Sequence, residues 1–308
     1  MNLLFYSAGE NGAVWQEAFA RALPDARIRP WPEEPVSQVD YATVWKPPGQ
    51  LLERLGDAKA VFNLGAGVDG IASLAALRPS VPLIRLEDAG MTEQMIEYAC
   101  HAVLRRYREF DAYAEQQRAG MWRPRRRMAK RDFGIGILGL GVLGSAVAIA
   151  LSRFGFAVHG WSRSQKSIAG IESCAGAAEL DSVLARAQVL ICLLPLTAET
   201  RGLLDRRRLS RLPRRAYVVN LARGDILVDE DLLALIGEGH LAGAMLDVFR
   251  DEPLPAAHAF WHHPKITVTP HVSAATLIDE SVAQIVAKIH RLEAGLPVTG
   301  VVERGRGY

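Results

Sequence analysis

Cysteine is scarce in this chain. Its three residues, Cys100, Cys174 and Cys192, are odd in number and contain no Cys-x-x-Cys pair. That argues against a disulfide framework and for a reducing compartment, so a cytoplasmic location is expected. Cys192 sits inside the apolar run Val189-Leu190-Ile191-Cys192-Leu193-Leu194, where it reads as a small buried thiol. Long apolar runs are also missing, and none approaches the roughly 18–20 residues that span a bilayer. The opening Met-Asn-Leu-Leu-Phe-Tyr-Ser has no basic start and reads as a first strand, not a signal peptide. Excess charge of one sign is absent too: 36 Lys and Arg face 34 Asp and Glu, a formal net charge of +2. Such a balance gives no global pull toward nucleic acid or an anionic membrane, and neither is expected as a partner. The sequence holds no internal repeat of fixed period and no low-complexity tract, and no metal site is expected.

What remains is a chain of 308 residues, 49% hydrophobic and 23% charged, long enough for two domains of roughly 100–200 residues. Short apolar runs at Leu3–Tyr6, Ala26–Trp31, Tyr41–Trp45, Ala60–Leu64 and Val81–Leu86 read as strands. Ala13–Leu23, Leu51–Leu55 and Ile71–Leu77 carry helical spacing between several of them. Residues 92–117 read as one long proline-free helix bridging to a second unit. There, Phe133–Leu138, Ala157–Trp161, Val189–Leu194, Ala216–Leu221, Gly243–Val248 and Ile266–Thr269 read as strands, with helices over Val142–Phe154, Leu180–Ala187 and Glu230–Ile236. A last helical segment, Leu277–Glu293, is expected to pack back on the first domain.

Alternation of this kind builds parallel sheets. The expected class is α/β: two Rossmann-like or flavodoxin-like parallel-sheet domains separated by a substrate cleft. Residues 1–98 with 275–308 are expected to form one domain, and 99–274 the other. The one dense basic run, residues 121–131, is unrepeated. It reads as a solvated loop, or else as an attractor of an anionic cofactor or a partner surface.

Gly139-Leu140-Gly141-Val142-Leu143-Gly144 is a Gly-x-Gly-x-x-Gly pattern, and so is Gly65-Ala66-Gly67-Val68-Asp69-Gly70. Only the first follows a strand and opens a long helix, the arrangement in which backbone N–H groups and the helix dipole hold a pyrophosphate. The next strand ends at Trp161 and is followed by Ser162-Arg163-Ser164 and Lys166, with no acid before Glu172. An NAD site would place a carboxylate there for the ribose hydroxyls. A guanidinium with hydroxyls suits a 2′-phosphate instead, so NADPH/NADP+ is expected; two basic residues on a surface loop are the plainer account. Leu194, Pro195 and Thr200, with Thr197, are expected beside the nicotinamide ribose, and Leu221 and Ala222 complete the expected cofactor set. Asp247 is read either as a partner of the carboxamide or as a turn cap.

Three lone polar groups fall at or just past strand ends: Arg223, Glu252 and His271. In an open parallel sheet, ligands bind at the carboxyl edge. Arg223 can bridge a carboxylate and a neighbouring carbonyl through its planar fork. His271 can give a proton to the alkoxide formed by hydride addition, while Glu252 orients the imidazole and favours its charged form. Taken singly, each could be a structural ion-pair or loop residue. The other histidines fit less well: His240 precedes its strand, His262 and His263 sit before Pro264, and His101 and His290 fall in helical patterns.

Together Gly139-x-Gly-x-x-Gly144, Asn220-Leu-Ala-Arg-Gly224, Leu246-Asp-Val-Phe249 with Glu252-Pro-Leu-Pro255, and Thr269-Pro-His271 resemble the D-2-hydroxyacid dehydrogenase family. Its bacterial glyoxylate/hydroxypyruvate reductase A branch is resembled further by Val44-Trp-Lys-Pro-Pro48, Asn63–Asp69, Arg85–Asp88, Gly90–Met95, Trp161-Ser-Arg163 and Arg306-Gly-Tyr308. The resemblance implies an NADPH-dependent reductase of glyoxylate and hydroxypyruvate, giving glycolate and D-glycerate. It also implies a homodimer formed mainly through the cofactor domains, with Arg223, Glu252 and His271 as catalytic residues. The loop Leu64–Val68 matches the segment whose amides take the substrate carboxylate, so Gly65, Ala66 and Gly67 are expected there. Trp45 matches a pocket-wall residue, though a core tryptophan is the competing reading. Lys46 departs from the histidine usual in this branch. Glu252 argues against formate-oxidising cousins, which use glutamine. A related reductase of phenylpyruvate or a branched 2-ketoacid is the alternative enzyme, and a cofactor-sensing corepressor the alternative of another class.

Overall fold

The apolar runs become parallel strands because residues buried on both faces of such a sheet must be hydrophobic nearly throughout. The computed structural model describes residues 1–9, 11–32, 38–68, 71, 76–126 and 128–303. Asp69 and Gly70 of the second glycine pattern, most of the segment Ile71–Leu77, Arg127 of the basic run and the terminal Arg306-Gly307-Tyr308 lie outside the described residues. Two compact units form, Met1–Met91 with Thr276–Tyr308, and Thr92–Ala275. The first changeover thus falls at 91/92 and not at 98/99, because the helix beginning at Met91 belongs almost wholly to the second unit. No helix among the described residues is long and apolar enough to cross a membrane.

The first unit holds β1 (Asn2–Ser7), α1 (Gly12–Ala22), β2 (Arg27–Pro30), β3 (Tyr41–Trp45), α2 (Gly49–Arg54), β4 (Ala60–Asn63) and β5 (Leu83–Ile84). The strands are parallel in the order β2-β1-β3-β4-β5. That is the flavodoxin-like order, whose direction reverses between β1 and β3. Ser7 pairs with Trp45 at the carboxyl end of that junction. Leu4, Val44 and Val61 join Leu51, Leu52 and Leu55 in the core. The closing helix Ile278–Glu293 buries Val282, Ile285 and Ile289 and packs on α1. Lys288, also on its buried face, donates to the Arg85 carbonyl at 3.2 Å and to Glu87 Oε2 at 3.1 Å. A buried ammonium without such partners would be costly.

The second unit holds α3 (Met91–Tyr107), α4 (Phe110–Arg118), β6 (Ile135–Leu138), α5 (Val142–Arg153), β7 (Val158–Ser162), β8 (Glu172–Ala175), α6 (Gly176–Leu184), β9 (Val189–Cys192), α7 (Arg206–Leu209), β10 (Ala216–Asn220), α8 (Asp229–Gly237), β11 (Leu241–Leu246) and β12 (Ile266–Val268). All neighbours pair in parallel, in the order β12-β11-β10-β9-β6-β7-β8. Counted from β6, this is the doubly wound dinucleotide-binding order with one more strand, and it reverses between β6 and β9. Alternation along β9 sorts its residues between two cores: Leu190 and Cys192 pack with Val183 and Leu235, while Val189 and Ile191 pack with Val147 and Leu151. Successive strand side chains point to opposite faces, so both faces of this sheet are covered.

Three elements differ from expectation, the short α7 among them. The helix over 92–117 is broken: Glu109 takes a left-handed conformation, φ 56°, between α3 and α4. β8 was not expected, since Glu-Ser-Cys-Ala is short, mixed and at the sheet edge.

Candidate functional site

His271 follows β12 in a backbone conformation that L residues rarely adopt, φ 55°. Left-handed backbone costs about 1–2 kcal/mol, and the loop is held against that cost by Asp247. Asp247 is fully buried one residue beyond β11. Its Oδ1 accepts from the Val272 amide at 2.9 Å and from Thr269 Oγ1 at 2.6 Å, and its Oδ2 accepts from the Ser273 amide at 2.8 Å. The His271 amide in turn donates to the Asp247 carbonyl at 2.8 Å. Hydrogen bonds to a charged group contribute about 1.5–3 kcal/mol each, so three outweigh the backbone strain. Thr269 spends its one hydroxyl hydrogen on Asp247, so the 2.5 Å bond from Tyr98 Oη must be donated by Tyr98. Burial pushes the Tyr98 phenol up to about 12, which keeps that donor protonated. Asp247 holds this turn with its side chain enclosed and engaged by three bonds.

Glu252 meets the imidazole, with His271 Nδ1 2.8 Å from Glu252 Oε2. Oε1 of the same carboxyl accepts from the Phe249 amide at 3.0 Å. Burial alone would raise this carboxyl, but the His271 bond, the Phe249 amide and the nearby Arg223 charge hold it below its ordinary range. Its folded value being depressed, the carboxylate's grip on His271 is complete at neutral pH. That grip is lost only as pH falls beneath the usual carboxylate range. A carboxylate only accepts, so Nδ1 carries the hydrogen and Nε2 is the atom able to exchange a proton. The His271 side chain is 44% exposed, so the ring is open to a ligand.

Arg223 follows β10 in a loop folded by Asn220. The Asn220 side chain, fully buried, donates to the Arg223 carbonyl at 3.0 Å and accepts from the Ala222 amide at 3.2 Å. Gly224 lets this loop lie directly on the Phe249–Arg250 backbone, where any Cβ would overlap it. The guanidinium is thereby close enough for its charge to act on Glu252, and its Nη1 donates to the Ala222 carbonyl at 2.6 Å. Arginine, glutamate and histidine from three successive strand ends thus share one neighbourhood.

The glycine motif lies at the β6/β9 reversal. Gly139 has φ 103°, and a Cβ there would stand 2.6 Å from the Leu193 carbonyl oxygen; a Cβ on Gly144 would overlap the Gly139 carbonyl. Gly141, capping α5, faces open space, and Val142 beside it is exposed. Two glycines close the turn and the third opens it, which fits a pyrophosphate at a helix N-terminus. Leu143 lies in the first turn of α5 and packs toward the core.

At the end of β7, Arg163, Ser164 and Lys166 are exposed. Glu172, the first acid afterwards, is bound at 2.7 and 2.8 Å by Arg186 and at 2.9 Å by His159, so it is committed elsewhere. Ser162 is buried with its hydroxyl donated to the Ser164 carbonyl at 2.8 Å, and Trp161 donates to the Gly176 carbonyl at 2.7 Å. These two shape the turn from inside. Past β9, Leu194 is buried, and Pro195 and Thr200 are joined through the Thr200 hydroxyl, 2.7 Å from the Pro195 carbonyl. Leu221 and Ala222 are buried beside Arg223.

In the first unit, buried Asn63 ends β4 and donates to the carbonyls of Gly65 at 2.9 Å and Gly67 at 2.8 Å. Among the described residues the amides of Gly65, Ala66 and Gly67 donate to no partner, which leaves them able to meet an anion. Trp45, half-buried, lays its ring against Gly65 so closely that a Cβ there would overlap it. Asn63, Asn220, Thr269 and Tyr98 were missed as functional residues. A polar side chain closing an otherwise apolar strand was the available signal for the two asparagines.

The profile described as D-isomer specific 2-hydroxyacid dehydrogenase, NAD binding domain, matches residues 100–273. Among solved structures, a D-isomer specific 2-hydroxyacid dehydrogenase from Xanthobacter autotrophicus Py2, in complex with NADPH and MES, is 39% identical with a TM-score of 0.94, over 100% of this chain and 99% of that one. The NADPH-dependent glyoxylate/hydroxypyruvate reductase of Sinorhizobium meliloti, in complex with NADP and sulfate, is 36% identical with a TM-score of 0.91, over 100% and 99%. A probable 2-hydroxyacid dehydrogenase from Rhizobium etli CFN 42, solved with NADP, is 32% identical with a TM-score of 0.93, over 100% and 99%. The chain belongs to the D-isomer specific 2-hydroxyacid dehydrogenase family.

Proposed function

We propose that this protein reduces glyoxylate to glycolate and hydroxypyruvate to D-glycerate with NADPH. The observation that carries the reading is the 2.8 Å bond between His271 and Glu252, with Arg223 acting on the same carboxyl. The coenzyme, when bound, supplies the hydride. His271 supplies the proton from Nε2 to the oxygen of the reduced carbonyl and is recharged from solvent, while Glu252 holds the ring. Arg223 draws charge toward that oxygen. The free amides of Gly65–Gly67 are assigned to the substrate carboxylate, with Trp45 as a wall beside them. Gly139, Gly141 and Gly144 are assigned to the pyrophosphate. The reductase of Sinorhizobium meliloti named above adds support for the substrates. The decisive test is NADPH consumption with glyoxylate, hydroxypyruvate and pyruvate. Rapid turnover of the first two is expected; NADPH binding without turnover of any 2-oxo acid would point to a cofactor-sensing binding protein instead.

NADPH preference rests on Arg163, Ser164 and Lys166 at the end of β7 and on the engagement of Glu172 elsewhere. Arg163→Ala is expected to cost about 1.5–3 kcal/mol in kcat/KM with NADPH and to leave NADH nearly unaffected. Equal use of both coenzymes by the parent protein would contradict the assignment.

A homodimer is part of the proposal, as is a cytoplasmic location, which the three free, buried cysteines support. Every side chain of α4 stays at least partly exposed. Phe110, Met121 and Trp122, the last 98% exposed, leave apolar surface on the second unit that a second copy of the chain would cover. Light scattering should give a dimer for the parent and a smaller mass for the doubly substituted Phe110→Asp, Trp122→Asp protein. A monomeric parent would remove this part of the proposal.

A further inference from the structure

We infer that Lys46 is a second anion-binding group beside the carboxylate loop, so that the enzyme also takes 2-oxo acids carrying a further carboxylate, the four- and five-carbon 2-oxo diacids. This rests on the assignment of Gly65–Gly67 to the substrate carboxylate and extends it. Lys46 immediately follows β3, at the β1/β3 junction where a sheet of this order binds ligands. Its backbone is left-handed, φ 47°, a conformation that a lysine keeps only when its surroundings impose it and that gathers at functional sites. Its Nζ stands 5.8 Å from the centre of the Trp45 ring. The same ring lies against Gly65. The Lys46 ammonium and the Gly65 backbone therefore both stand against one indole.

Lys46 is exposed, and among the described residues no acid or hydrogen-bonding group answers its charge. A surface lysine held over an aromatic face keeps its cation near the ring yet leaves its N–H groups free for a ligand. A simple 2-oxo monoacid has one anionic end and occupies the amides alone. A diacid has a second carboxylate for the ammonium, and the flexible four-carbon stem of lysine can serve either chain length.

The test compares kcat/KM, with NADPH, for 2-oxosuccinate against 2-oxobutyrate and for 2-oxoglutarate against 2-oxovalerate. Each pair matches in length and differs in the far carboxylate. In Lys46→Gln the diacid-to-monoacid ratio is expected to fall about three- to tenfold, as for a partly exposed ion pair. It should hold in Lys46→Arg and fall further in Lys46→Glu. Added salt should lower the ratio in the parent and leave it flat in Lys46→Gln. A ratio that does not move in Lys46→Gln, in protein that still binds NADPH and melts like the parent, overturns the inference and leaves the proposed function standing. A parent protein that reduces no 2-oxo acid at all overturns both.

Discussion

His271→Asn is expected to lower kcat for oxoacid reduction by about 10²–10⁴-fold, the usual worth of a positioned general acid. Asparagine is the substitution of choice because it tolerates the left-handed backbone at this position, so the loop clamped by Asp247 survives the change. The loss then reports the missing Nε2 proton and not a collapsed loop. Coenzyme affinity and melting temperature should stay near those of the parent. Glu252→Gln should fall less far. An amide can still accept from Nδ1, but it brings no negative charge to favour the charged ring on which proton donation depends. His271→Asn should be low at every pH at which the parent is active. Near-parental kcat in His271→Asn would mean that another group delivers the proton.

Arg223→Gln is expected to reduce kcat/KM by about 10²–10³-fold, comparable with removing an oxyanion-stabilising donor. Its two tasks leave different marks. Gripping the carboxylate affects substrate and transition state alike and appears in KM, while stabilising the developing alkoxide appears in kcat. Both should therefore change. Arg223→Lys keeps the charge but loses the fork, so it should recover part of the binding and little of kcat. Fluorescence titration with NADPH provides the control. Because Asn220 and Gly224 set the loop through backbone and side-chain amides, the coenzyme cradle does not depend on the guanidinium.

Much of this arrangement was legible in the sequence for reasons that the packing makes plain. β10 and β11 are buried along almost their whole length, so their runs are largely apolar and the charged Arg223 and Glu252 beyond them stand out. The glycine motif was legible because two of its three positions are sterically forced, one by the Leu193 carbonyl and one by the Gly139 carbonyl. Context also separated it from Gly65–Gly70, which lacks a following long helix in the sequence. The break at Glu109 was not legible. Nothing in the residue type marks a left-handed position there, and helical spacing continues across it. β8 escaped because an edge strand with Glu172 turned toward Arg186 and His159 need not be apolar. Asp247 illustrates a subtler gap. Its place near a strand end suits a ligand partner or a turn cap alike, and its burial with three bonds to the Thr269–Ser273 loop, which position His271, could not be read from residue type.

The most direct test is a crystal structure with NADP+ and oxamate, an unreactive stand-in for a 2-oxo acid. The carbonyl oxygen of oxamate should lie about 2.6–3.2 Å from both His271 Nε2 and the Arg223 guanidinium, with Glu252 still on Nδ1. Oxamate bound away from these side chains, or an imidazole turned from the nicotinamide, would contradict the account.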